Sequence, residues 1–424
     1  MTVPEAHRAV DAVWRLESAR IIAGLARLTG DLGLAEDLAQ DALVAALSQW
    51  PESGIPPNPG AWLMSTARHR AIDRLRRGER LRRNLGQLGR ELAAQQQAAV
   101  FGGPPGLEAA LDAGEVQDDL LRLMFVACHP VLPKEARVAL TLRLLGGLTT
   151  GEIARAFLAA EPAIAQRIVR AKRTLAREQV PFEVPAAHER AARLGSVLEA
   201  IYLIFNEGYT ATAGEDWARP ELCYEALRLG RTLAELSPRE PEVHGLVALM
   251  EIQSSRLRAR TGPGGEPVPL LEQDRGTWDQ LLIRRGFAAL LRAGRLGRPP
   301  GPYLVQAAIA ACHAGARTAA DTDWARIAAL YQTLLAIAPT PVAELNRAVA
   351  VAMAYGPARG LELADRLAAG PELRHYHLLP SVRADLLAKL GRPAEARAEF
   401  ERAAALTQNA QERAVLLRRA AGCG

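Results

Sequence analysis

Apolar residues recur along this chain at steps of three and four, and two-residue alternation is almost absent, so an all-α fold is predicted. The stretch 148–176, LTTGEIARAFLAAEPAIAQRIVRAKRTLA, carries the pattern most clearly. Thr149 with Glu152 three residues later makes a capping box, which predicts a short helix from Thr150 to about Phe157. Pro162 suits the first position of a second helix reaching about Arg177. On that helix Ile164, Ile168, Ala171 and Leu175 form one inward stripe. Gln166, Arg170, Arg173 and Arg177 take the outward face with Val169 beside them, while Arg167 and Lys172 flank the buried stripe.

Upstream, one long helix is expected from near Pro4 past Leu28 and a second from about Leu34 to Trp50, which the Pro/Gly loop PESGIPPNPG should end. On the second, Glu36, Asp37, Gln40 and Asp41 face one way and Leu38, Ala42 and Ala45 another. A third helix begins near Ala61, with an incomplete apolar face of Trp62, Leu63, Thr66, Ile72 and Leu75 and arginines around the rest. A Gln run followed by GGPP then marks a linker, so the expected domains are 1–91, a linker at 92–117, 118–182, and a helical region at 190–424. Within that last region, helix-pair endings near Pro339, Pro371 and Gln408 fall close to the ~34-residue tetratricopeptide period. LAKLGRPAEARAEFERAAAL fits best, with Leu390, Gly391, Ala396, Phe400 and Ala403 at the small or apolar positions.

Composition narrows the class. A chain of 424 residues exceeds one ordinary core, and 49% apolar with 23% charged residues is that of a folded protein. Cys128, Cys223, Cys312 and Cys423 lie too far apart for a zinc module or disulfide framework, which suits a reducing compartment. No secretory leader or membrane-spanning run is evident, so a soluble, cytoplasmic protein without membrane association is expected. Only Lys134, Lys172 and Lys389 are lysines among 52 cationic residues, a bias that follows from codon usage unless the arginines cluster locally.

They do cluster. Between Arg68 and Arg90 nine arginines face only two acids, Asp73 and Glu79, a density that suits a phosphate-contacting surface. On the 162–177 helix, Arg and Gln can make two-point bonds to guanine and adenine edges, Val169 can meet a thymine methyl, and flanking Arg and Lys suit phosphates. This is the pattern of a helix-turn-helix, with its second helix in the major groove. The acidic face at 36–41 serves solubility or docks a basic partner.

Taken in order, these segments resemble an extracytoplasmic-function sigma factor of bacterial RNA polymerase. AEDLAQDALVAAL (35–47) is similar to the region-two helix that grips the polymerase clamp, and AWLMSTARHRAIDRLRR (61–77) to the minus-ten recognition and melting segment. LPKEARVALTLRLLGGLTTGEIARAFLAAEPAIAQRIVRAKRTL (132–175) is similar to region four, which reads the minus-thirty-five element. The resemblance, over about 10–180, implies that Asp37, Gln40 and Asp41 bind core RNA polymerase. It implies that Trp62, Arg68, His69, Arg70, Arg74, Arg76 and Arg77 engage the opened minus-ten strand of promoter DNA. Gln166, Arg167, Val169, Arg170, Lys172 and Arg173 would then contact the minus-thirty-five element. Position 69 is commonly Asn in this family; His69 departs from it, which puts base preference there in doubt. The continuation from RLGSVLEAIYLIFNEGY resembles the tetratricopeptide-like extension of one sigma subgroup that lacks an obvious anti-sigma factor, and by analogy would contact and control the sigma module in cis.

Glu207 and Tyr209 of NEGY, His375 and His377 of HYH, and the Cys128–His129 pair invite a catalytic or metal reading, but none has a partner at metal spacing. Neither catalysis nor a cofactor or metal is expected. Two rivals remain: a tetratricopeptide scaffold with a non-reading helix-turn-helix, and a repressor or activator that binds an operator without polymerase.

Overall fold

The computed structural model describes residues 3–92, 113–157, 159–210, 218–262 and 266–423, and within them eighteen α-helices account for the regular structure, apart from short 3-10 turns and an isolated bridge between Thr261 and Pro267. The chain divides into two compact units, Met1–Arg155 with Ala159–Ala200, and Ala156–Leu158 with Ile201–Gly424.

The first unit starts with α1 (Val3–Thr29), α2 (Leu32–Ser53) and α3 (Pro59–Leu92). Gly30, at φ 65°, takes the left-handed turn between α1 and α2, and the Asp31 carboxylate caps α2 by accepting from Leu34 N at 3.0 Å. Pro51 does not end α2 as expected: the helix carries it in its last turn and stops at Gly54, φ 83°, whose N–H donates to Trp50 O at 3.0 Å. A proline this near the C-terminus forfeits one ladder bond and little else. Asn58 opens α3 by accepting from Ala61 N at 3.1 Å, with Pro59 at the first helical position. The buried face of α3 is corrected to Leu63, Ala67 and Ala71, each 0% exposed. Alanines at steps of four let α3 lie close against α1 and α2, so Trp62 and Ile72 are only half-buried.

Residues 93–112, most of the expected linker, lie outside the described residues; the chain resumes as α4 (Ala113–Ala127), α5 (Lys134–Leu144), α6 (Thr150–Ala156) and α7 (Glu161–Arg177). α1 packs on α4 and α5 as well as on α2 and α3, so the two halves share one unit. α8 (Ala187–Tyr209) belongs to this unit through Ala200. Its first half is anchored there: Arg193 donates to Phe125 O at 3.2 Å, Ser196 donates to Cys128 O at 2.7 Å, and Glu199 pairs with Arg137 at 3.1 Å.

The second unit runs from the end of α8 through α9 (Pro220–Leu236), α10 (Pro241–Ser254), α11 (Gln280–Arg295), α12 (Pro302–Gly315), α13 (Trp324–Ile337), α14 (Pro341–Tyr355), α15 (Pro357–Ala369), α16 (Leu378–Lys389), α17 (Pro393–Leu406) and α18 (Ala410–Ala421). α12 packs chiefly on α10, and from α13 onward each helix packs chiefly on its neighbours in sequence, where short connections make these pairs antiparallel. Proline recurs at the first or second position of six of these helices, where its missing N–H costs nothing. In the expected best repeat, Ala396, Phe400 and Ala403 are buried and Gly391 sits at φ 71°, while Leu390 departs by being 36% exposed. Among the described residues no helix is long and apolar enough to cross a membrane.

Candidate nucleic-acid interface

The helix pair α6–α7 is built as its residues dictate. Thr149 and Glu152 form the reciprocal capping box, Thr149 N donating to the Glu152 carboxylate at 2.8 Å and Glu152 N to Thr149 Oγ1 at 3.1 Å. Burial pushes the Glu152 carboxyl up, but the Thr149 bonds and the charges of Arg15 and Arg155 outweigh it and hold the group below its ordinary value. On α7, Ile164, Ile168, Ala171 and Leu175 are at most 5% exposed. Gln166, Val169, Arg170 and Arg173 stand exposed in a row on the opposite side, and Arg167 is half-buried beside the core. That row of hydrogen-bonding and apolar tips is what a major groove can receive.

Lys172, expected to contact DNA, has a partner within the protein. Its ammonium is ion-paired with Glu36 of α2, and only 20% of its side chain is exposed. Glu36 in turn is not on an open acidic face but 3% exposed, and its carboxylate accepts from Arg143 Nε at 2.6 Å and Gln40 Nε2 at 2.7 Å. A carboxylate taken out of water needs such partners, and here they come from α2, α5 and α7 together. Two further links join the halves: Arg15 to Glu152 at 2.6 Å, and Arg27 to the buried Asp119 at 2.8 Å. Asp119 also accepts from Arg122 at 2.7 Å. Neither Glu36 nor Asp119 stands out in sequence, because a partner about a hundred residues away leaves no local signal.

On α3 the expected residues divide. Trp62 meets Trp50 edge to face, centroids 5.5 Å apart. Arg70 donates to the Asp41 backbone carbonyl, which ties α3 to α2. His69 is exposed with its Nδ1 3.5 Å from Ser65 Oγ, Arg68 is half-buried, and Arg74, Arg76 and Arg77 are exposed. The side chains of Arg80, Arg82, Arg83 and Arg90 lie outside the described residues. On α2, Asp37 and Asp41 are exposed, whereas Gln40 is half-buried against Glu36.

The residues that invite chemistry have structural partners. Burial pushes the Cys128 thiol up to about 11, and its Sγ lies 3.2 Å from Thr141 Oγ1. Burial and the Arg193 charge lower His129 to about 4, and its Nδ1 accepts from Val131 N at 3.1 Å. Glu207 pairs with Arg219, and His377 with Glu412 at 3.1 Å. Among the described residues no cluster of three or more His, Cys, Asp or Glu could hold a metal.

One helix-turn-helix with an exposed Arg/Gln row, packed with a module whose long helix exposes three arginines, defines a DNA-binding protein of transcription. Comparison with known families gives its class: the family described as "Sigma-70 region 2" matches residues 15–81, and "Sigma-70, region 4" matches residues 122–175. A third, "Family of unknown function (DUF6596)", matches residues 193–294. The "Uncharacterized protein R00370" of Rhizobium meliloti (strain 1021) is 43% identical over 400 residues, covering 92% of this chain and 90% of its own. No solved structure matches. The chain belongs to the extracytoplasmic-function sigma factors, in a form with a long C-terminal extension. Such factors act in promoter recognition and are not enzymes; their sigma-70 regions imply core RNA polymerase and promoter DNA as partners.

Proposed function

We propose that α7 reads the minus-thirty-five element through Gln166, Val169, Arg170 and Arg173, with Arg167 on the phosphate backbone. The exposed row opposite a fully buried stripe carries this reading. On α3, His69, Arg74, Arg76 and Arg77 engage the opened minus-ten strand, and Trp62, Arg68 and Arg70 support that surface from its half-buried side. Asp37 and Asp41 meet core RNA polymerase, with Gln40 bridging from them to Glu36. By capturing unpaired bases the protein favours the open complex over the closed one, a population shift rather than a chemical step. It acts in the cytoplasm, where promoter DNA and polymerase are found.

The extension controls the sigma module in cis. Its continuity with that module through α8 supports this reading. The test compares full-length protein with a form ending at residue 200, which keeps the α8 bonds to Phe125, Cys128 and Arg137 that a cut near residue 185 would remove. Polymerase affinity or promoter output should differ between the two. Indistinguishable behaviour would remove cis control.

A further inference from the structure

Within the second unit, side chains of α8, α10, α12, α13 and α14 line a cavity of about 410 Å³. That is the size of ordinary small-molecule sites, about 300–1,000 Å³. Its wall is apolar at Ile252, Ile309 and Leu334, and polar at Arg256, His313 and Tyr331. Arg256 is the unusual member. Its Nη2 donates to the Tyr209 hydroxyl and to Gln253 Oε1, both neutral, while its buried Nε donates to no group among the described residues.

The surroundings deepen the charge imbalance. The Arg256 guanidinium lies 5.6 Å and that of Arg275 lies 4.9 Å from the Trp278 ring, so two cations flank one indole. Arg275 donates to the Ala316 carbonyl at 2.9 Å and to Thr322 Oγ1 at 3.2 Å, again neutral groups, and its buried Nε has no acceptor among the described residues. Among the described residues no carboxylate forms an ion pair with either arginine, although elsewhere in this unit Arg231, Arg347 and Arg383 are paired with Glu251, Glu344 and Asp365. Burial and these two charges lower His313 to about 4, which keeps its ring neutral, and its Nδ1 has no hydrogen-bond partner among the described residues. Buried donors left without acceptors are costly, and a cation in a low-dielectric pocket attracts a compensating charge.

We propose that this cavity binds a small organic anion, its carboxylate or phosphate oxygens accepting from Arg256 and its apolar body lying against Ile252, Ile309 and Leu334. Such a ligand supplies both the missing charge and the missing acceptors. Binding would give the extension a chemical input, but it does not depend on cis control, because it is measured on the protein alone.

The test is isothermal titration of the full-length chain with phenylacetate, phenyl phosphate and the neutral phenylacetamide. At least one acid should bind about tenfold or more tightly than the amide, as expected for a charge-assisted bond, and which acid wins identifies the head group. Arg256→Gln should lower that affinity about tenfold or more. Asn346→Trp, at an exposed position lining the cavity, should block binding while leaving the thermal unfolding of the protein unchanged. No binding by either acid, equal binding of acid and amide, or affinity unchanged in both variants would overturn the proposal.

Discussion

Lys172, on the helix whose exposed row is proposed to face DNA, ion-pairs with Glu36, a buried residue of the helix that exposes Asp37 and Asp41. The same carboxylate binds Arg143, so one side chain joins α2, α5 and α7. Removing it leaves two largely buried cations without a counter-charge. Glu36→Gln should therefore destabilise the protein by about 2–4 kcal/mol in urea unfolding. Adding Lys172→Met should recover part of the loss, since one stranded charge disappears. Equal stability of wild type and Glu36→Gln would mean that the network does not hold this unit together.

The exposed row and Lys172 should also separate in DNA binding. Arg170→Ala and Arg173→Ala remove exposed tips that form no hydrogen bond or ion pair among the described residues, so stability should change by less than about 0.5 kcal/mol. Each should weaken binding to a minus-thirty-five duplex by about 1–3 kcal/mol. Lys172→Ala should do the reverse, costing more stability than DNA affinity. Fluorescence anisotropy beside urea melts decides between them, and a Lys172 variant that is stable but blind to DNA would return that residue to the interface.

On α3 the three exposed arginines should act through phosphates. Alanine at Arg74, Arg76 and Arg77 together should lower the salt dependence of single-strand binding by about 0.7 in slope for each phosphate no longer neutralised. Binding to a minus-thirty-five duplex should stay unchanged. Arg70→Ala should behave differently, because Arg70 is bonded to the Asp41 carbonyl and its removal loosens α3 from α2. An unchanged salt slope in the triple variant would remove α3 from the DNA surface.

Acid sensitivity of the second unit should trace to His313. Its pKa falls from 6.5 to about 4 on folding, so the folded state prefers the neutral ring. That preference stabilises fully above pH 6.5 and is lost progressively as pH falls towards 4, by about 3 kcal/mol in all. His313→Gln, neutral at every pH, should flatten the decline in denaturant stability over this window. A variant with the wild-type pH profile would show that other groups set it.

What was legible in sequence follows from the range of each signal. The capping box at Thr149–Glu152 and the inward stripe of α7 are local patterns, and the structure repeats them nearly residue for residue. The faces of α2 and α3 were legible only in part. Glu36 looked like a solvated acid because the cations that bury it are 107 and 136 residues downstream, and the inner face of α3 was obscured because alanine signals burial weakly beside Trp62 and Ile72. Pro51 misled for another reason: a proline stops a helix only when the bonds it removes are needed, and in the last turn they are not. The Arg256 cavity had no sequence signature, since it gathers side chains from five helices that no motif links.

Whether this chain gives core RNA polymerase its promoter specificity is decided by run-off transcription with purified core enzyme, on a template carrying the protein's own upstream region. A discrete transcript should appear only when the chain is added and should fall sharply with Arg170→Ala. No promoter-dependent transcript from either the full-length protein or the form ending at residue 200 would contradict that role.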